Sequence, residues 1–312
     1  MRNWKVIGAT ALATMVALPG LAFAQAVAVA EKSADAKAAE PKAQYSLTGN
    51  FGLFSQYIFR GLTQTNHNPA AQGGFDWAHD SGFYLGTWAS NISWLKENQS
   101  TAAVNQGLYG SGGSVEWDFY GGYKWNLPQD FVVDVGTLYY WYPGKLNPNA
   151  ISSAAPSNVP RADTWEVYLA PGWKWITFKT SYSVLNHTFG VDQSRGTYYL
   201  DLSANVPLEE VMSKSLAGLT LNLHWGYQKY RGTDPRNVFA GSNAVRSNDS
   251  IDSYKDVKAG LTYALPREFS VGAFWTKAYS LNNLGYGAVS EGGTYPTNLG
   301  KSTGTVFVQK TF

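Results

Sequence analysis

Side chains alternate along the stretch from Val115 to Trp141. Val115, Trp117, Phe119, Tyr123 and Trp125 share one parity, and Glu116, Asp118, Tyr120, Lys124 and Asn126 share the other. A strand here has one apolar face and one polar face. The Pro-containing break at 127–130 reverses the chain, and a second arm sets Phe131, Val133, Val135, Tyr139 and Trp141 against Asp134 and Gly136. Each arm exceeds the roughly 5–6 residues of an ordinary strand and reaches the ~9–11 that a tilted strand needs to cross a bilayer.

The same period recurs at 45–61, 71–78, 83–93, 163–175, 176–186, 197–207, 219–230, 252–264, 268–279 and 302–312, which makes twelve arms. In the first, Leu47, Phe51, Leu53, Tyr57 and Phe59 oppose Asn50, Gln56 and Arg60. The facing of the third is open, because Phe83, Leu85 and Ala89 compete with Tyr84, Trp88 and Ile92. Pro171 interrupts 163–175, and a proline inside a ladder calls for a bulge. Connections at 79–82, 127–130, 175–176, 207–218 and 265–267 are mostly tight. Longer polar ones at 62–69, 96–113, 144–162, 187–196, 232–251 and 281–301 lie between them. Strict short–long alternation predicts an all-β fold: a closed, antiparallel, up-and-down transmembrane β-barrel of about twelve strands, with short periplasmic turns and longer extracellular loops.

In such a barrel the polar parity lines the lumen. It brings inward Arg60, Asp76, Glu116, Asp118, Lys124, Asp134, Glu166, Lys174, Lys179, Asp201, His224, Asp256 and Lys258, charges that either set ion preference or pair across the lumen and plug it. About twelve strands fall between side-chain-filled small barrels and open porins, so size does not decide between the two. Trp77, Trp125, Trp173 and Trp175 sit beside short turns, and Trp94, Trp117, Trp141 and Trp165 beside long loops, as two interfacial belts. The sequence ends on Phe312, with Val308 and Val306 on its parity and Lys310 as a residue that can snorkel to the rim.

Residues 1–24 read as a signal peptide: Arg2 and Lys5, an apolar middle, then Ala22-Phe23-Ala24 before Gln25. Residues 25–44, Ala/Lys/Glu-rich and without aromatics before the barrel begins, read as a flexible periplasmic leader, and 45–312 as the barrel. Removing Arg2 and Lys5 from 24 basic residues leaves 22 against 22 acidic, a balance that gives nucleic acid no handle. No cysteine is present, so thiolate metal sites and disulfides are excluded.

Candidate chemistry is sparse. A hydrolytic site needs His187 or His224 within reach of a serine and a carboxylate, and Asn186, Thr188, Ser181 and Ser183 are the nearest polar neighbours of the first. The segment Ser247-Asn248-Asp249-Ser250-Ile251-Asp252 offers oxygen ligands without calcium-loop spacing. No phosphate cradle or paired-histidine spacing occurs, and no cofactor or metal is expected.

The segments Ser46-Leu47-Thr48-Gly49-Asn50, Phe59-Arg60-Gly61 with Gln64, Pro69-Ala70-Ala71-Gln72-Gly73-Gly74-Phe75-Asp76, His79-Asp80-Ser81-Gly82-Phe83-Tyr84 and Gly86-Thr87-Trp88-Ala89-Ser90-Asn91 resemble the opening of the TorF-like family of proteobacterial envelope porins. The resemblance is looser beyond them. It implies a barrel in the outer membrane of a Gram-negative bacterium, in contact with its lipid. With the polar parity, the expectation is a non-enzymatic channel for passive diffusion of small hydrophilic solutes or ions. A closed barrel whose loops bind a partner is the alternative, and a membrane-embedded hydrolase a more distant one. Solute, selectivity and oligomeric state are not encoded in the alternation.

Overall fold

The structure is a computed structural model that describes residues 44–97, 108–147, 160–235, 245–281 and 299–312. The segments read as signal peptide and leader lie outside these, apart from Gln44. Twelve long strands form the wall: β1 (Tyr45–Phe54), β4 (Ala70–His79), β5 (Phe83–Asn91), β7 (Val115–Leu127), β8 (Phe131–Trp141), β10 (Thr164–Trp173), β11 (Ile176–Ser183), β12 (Tyr198–Pro207), β13 (Leu219–Lys229), β14 (Tyr254–Leu265), β15 (Phe269–Tyr279) and β16 (Thr303–Thr311). Four short strands lie in loops: β2 (Ile58–Phe59) and β3 (Leu62–Thr63) pair with each other, as do β6 (Tyr109–Gly112) and β9 (Gly144–Leu146).

Each wall strand pairs antiparallel with its sequence neighbour, and the sheet closes where β1 meets β16, Asn50 opposite Thr311 and Phe54 opposite Phe307. Gly49 N donates to Phe312 O at 2.7 Å and Phe312 N to Gly49 O at 2.9 Å, which extends the seam. The connections alternate as the sequence predicts. Leu47, Phe51, Leu53, Leu85, Phe119, Leu169, Phe178, Leu202, Leu223 and Leu261 stand exposed on the outside, while the polar parity points inward and is largely buried. β5 resolves its ambiguity by facing Tyr84 and Trp88 inward and Phe83 and Leu85 outward.

Inward rings are accommodated by inward glycines on the neighbouring strand. Tyr84 lies opposite Gly122, Tyr120 opposite Gly86, Tyr168 opposite Gly136 and Phe307 opposite Gly272. In each case the ring occupies the space that a Cβ would take, so a large side chain lies against the wall instead of crossing the lumen.

Two local expectations are corrected. No register shift occurs at Pro171: Leu169 pairs with Thr180 before it and Gly172 with Thr177 after it on one register. The ladder to β11 skips the proline, while β8 on the other side pairs through it, so a missing rung replaces a bulge. The first strand ends at Phe54, not Gly61. Tyr57 and Phe59 continue its apolar parity but are buried inside the barrel.

Candidate functional site at the long-loop mouth

Past Phe54 the chain turns inward, forms the β2–β3 ladder with Ile58 opposite Thr63 and Phe59 opposite Leu62, and rejoins the wall at Ala70. Gln64 N donates to Tyr57 O at 2.8 Å and Tyr57 N to Thr65 Oγ1 at 3.1 Å, which holds the hairpin together. Gln56 Nε2 ties its base to β16 through Thr303 Oγ1 and Gly304 O, both at 2.9 Å. At the tip Arg60 and Gly61 have φ of 46° and 78°. A Cβ on Gly61 would overlap Asp256 Cβ of β14, so the close approach as well as the dihedral selects glycine.

Arg60 reaches the far wall. Its Nη1 and Nη2 donate to Glu166 Oε1 and Oε2 on β10 at 3.0 and 2.7 Å, a bidentate pair. Nη1 also donates to Gln228 Oε1 on β13 at 2.8 Å, and Nη2 to Tyr140 OH on β8 at 3.4 Å. The guanidinium lies 4.3 Å from the Tyr199 ring centroid, 4.8 Å from that of Phe59 and 5.7 Å from that of Phe189. Side-chain exposure is 6% for Arg60 and 1% for Glu166, so the pair is shielded from solvent. Tyr57, three residues before Arg60, donates its hydroxyl to Glu116 Oε1 at 2.5 Å, and Tyr142 donates to Oε2 at 2.7 Å. Among the described residues the hairpin therefore lies across the mouth on an ionic and aromatic footing.

Toward the short turns the inner wall carries further buried polar pairs. Tyr120 OH donates to Asp76 Oδ1 at 2.5 Å and Tyr84 OH to Asp134 Oδ1 at 2.6 Å, with Lys124 Nζ 3.9 Å from the other Asp134 oxygen. Lys179 Nζ sits 3.9 Å over the Tyr168 ring and Lys258 Nζ 5.3 Å over that of Phe274. Several buried inward atoms have no hydrogen-bond partner among the described residues: both carboxylate oxygens of Asp118, Gln72 Oε1, Asn50 Oδ1, Gln309 Oε1 and Thr305 Oγ1.

The structure places Asp76, Glu116, Asp118, Lys124, Asp134, Glu166, Lys179, Asp201, His224, Asp256 and Lys258 on the inner face of wall strands, and Arg60 inside on the infolded hairpin. Lys174 does not join them. It occupies the β10–β11 turn with φ 50°, its ammonium 5.2 and 5.7 Å over the Trp173 and Trp175 rings. Trp94 is likewise displaced from the outer belt: it packs on the interior cluster, edge-on to Tyr142 with ring centroids 5.6 Å apart. Trp77, Trp125 and Trp173 face outward near the short turns, Trp175 lies in its turn, and Trp117, Trp141 and Trp165 face outward near the long loops. Trp117 Nε1 donates to Thr87 Oγ1 at 2.6 Å and Trp165 Nε1 to Thr137 Oγ1 at 2.5 Å. Trp225 and Trp275, not singled out from the sequence, extend that belt with bonds to Tyr279 OH at 3.0 Å and Ser302 Oγ at 2.6 Å. Their outward parity was the available signal.

A family model described as a bacterial protein of unknown function (Gcw_chp) matches residues 38–312. The chain belongs to the Gcw_chp family. No protein of curated function matches it in sequence. Among solved structures, one described as the KdgM porin aligns at TM-score 0.44 and 9% identity, covering 85% of this chain and 99% of that one. The NanC porin aligns at 0.44 and 12%, with 85% and 99% covered. The outer-membrane protein Omp33 of Acinetobacter baumannii aligns at 0.39 and 8%, with 86% and 97% covered.

The Gcw_chp barrel does bring His224 to a serine and to carboxylates. Ser203 Oγ is 3.1 Å from Nδ1, Asp201 Oδ1 is 3.3 Å from Nδ1, and Asp256 Oδ1 and Tyr199 OH are each 2.9 Å from Nε2. The distances meet the requirement for a hydrolytic site, but the roles do not follow. Ser203 Oγ donates to Asp201 Oδ1 at 2.5 Å, so its proton is directed to a carboxylate and not to the imidazole, and the serine-to-histidine relay of such a site is not assembled. His187, in the β11–β12 loop, has its pKa lowered by burial. Ser183 instead accepts from Thr188 Oγ1 at 2.7 Å. The oxygen-rich segment at 247–252 forms a helical turn, Asn248–Asp252. Within it Asn248 bonds Asp192 O, Arg231 O and Asp234 N, and Asp249 pairs with Lys229 at 2.6 Å, so these groups serve the fold.

Proposed function

We propose that this Gcw_chp barrel is a non-enzymatic outer-membrane channel for small hydrophilic solutes or ions, of the TorF-like porin kind, in which the hairpin at 55–69 closes the long-loop mouth. The observation that carries this reading is the set of inner-wall polar atoms with no hydrogen-bond partner among the described residues, headed by the Asp118 carboxylate at 0% exposure. Leaving such a group unsatisfied in a dry core costs about 1–3 kcal/mol and more for a charge, so a wall bearing several of them suits a lumen that takes up water or solute. The outer wall supports a membrane setting. Its exposed Leu, Phe, Val and Trp side chains run around the whole cylinder, beyond what a soluble monomer leaves uncovered. Outer-membrane lipid is then the outer contact and 1–24 the removed export signal.

Single-channel recording of the purified protein in planar bilayers tests the proposal. The expected result is small, infrequent conductance that rises when the hairpin is replaced by a tight turn. Conductance no higher than bare lipid for both forms overturns it. The closed mouth favours one second reading, a sealed barrel whose loops engage a partner. Liposome swelling independent of the protein, with binding retained by the loops, would support that instead.

A further inference from the structure

We infer that the box gripping Arg60 is a solute subsite for guanidinium-bearing organic cations, which the hairpin occupies with its own side chain when the mouth is closed. The inference rests on the channel reading for its transport role, and on geometry for the site itself. Glu166, Gln228, Tyr140 and Tyr199 belong to four different wall strands and converge on one planar cation. Two parallel bonds to a carboxylate with rings above the plane is the recognition that a guanidinium receives and that a neutral sugar or an anion does not.

Only Arg60 and Phe59 come from the hairpin, so withdrawing it leaves the acidic and aromatic wall in place. The wall also has more negative charge than Arg60 answers. Glu116 is held by tyrosine hydroxyls, and Asp118 has no hydrogen-bond partner for either oxygen among the described residues while lying opposite Tyr140 in the β7–β8 ladder. A solute with a guanidinium at one end and an amine at the other meets Glu166 and then Asp118. Arg60 and the solute compete for one place, so the closed hairpin lowers the solute's apparent affinity by the fraction of time that it holds the box.

The test uses agmatine as the probe, titrated calorimetrically against detergent-folded protein. Arg60→Ala is expected to bind saturably at one site, wild type at least tenfold more weakly, and Arg60→Ala with Glu166→Gln at least tenfold more weakly than Arg60→Ala alone, while arabinose gives no heat in any form. If Arg60→Ala does not fold, as judged by heat-modifiable gel mobility, the variant with residues 55–69 replaced by Asn-Gly takes its place. No saturable agmatine binding to the open form, or binding that Glu166→Gln leaves unchanged, overturns the inference. Agmatine bound with these dependences but without conductance keeps the subsite and removes the channel. Conductance without agmatine binding does the reverse.

Discussion

At Gly61 two constraints coincide: a left-handed backbone and contact with Asp256. Gly61→Ala is therefore expected to loosen the hairpin tip by about 1–2 kcal/mol while sparing the wall; a several-fold higher open probability at unchanged gel-shift temperature is the check. Gly136→Val acts differently, because its Cβ meets the Tyr168 ring and the Gly121 carbonyl. It is expected to destabilise the barrel itself by about 1–3 kcal/mol of overpacking, seen as a lower urea midpoint after refolding into bilayers. The sequence concealed the infolding because Tyr57 and Phe59 keep the strand's parity. Arg60-Gly61 was the available cue, since an arginine followed by glycine in a presumed wall strand suits a tight tip better than a ladder. The Ser203–His224–Asp256 contacts were invisible for another reason: they join three strands, and parity places residues on a face without giving their depth.

Among elements, the hairpin at 55–69 is separable from the wall. Phe54 and Ala70 are register partners in the β1–β4 ladder, so an Asn-Gly turn can join them with the twist a two-residue hairpin requires. The shortened protein is expected to retain heat-modifiable migration and to conduct at least several-fold more than wild type in planar bilayers. Loss of the folded band would show that the hairpin is needed to build the barrel. Apart from the first strand, which stops at Phe54, wall elements were legible to within a few residues because period two persists through each. Lys310, the residue out of place in that pattern, reaches the rim and donates to Arg267 O at 2.7 Å. Pro171 misled because a missing rung on one side suffices when the other side stays paired.

For the whole molecule, the sidedness of the cylinder separates a membrane protein from a soluble one. Leu169, exposed at the middle of β10, is expected to tolerate arginine poorly: Leu169→Arg should cost about 2–4 kcal/mol in bilayer refolding, the penalty for a cation at the midplane. In a water-soluble barrel the same change would be nearly neutral. Twelve strands and the alternation of turns and loops were readable because both follow from local pattern. The closed mouth was not, since it depends on residues 106 and 168 positions from Arg60 in the sequence.

That separation orders the assembly. Glu166 and Gln228 hold the tip from β10 and β13, and Gln56 anchors its base to β16, the wall strand farthest from it along the chain. A sheet lacking β10 or β13 has nowhere to lodge the arginine, so the hairpin can settle only once those distant strands are in place. A stalled intermediate would leak, and the tightness of newly made vesicles would report completed insertion.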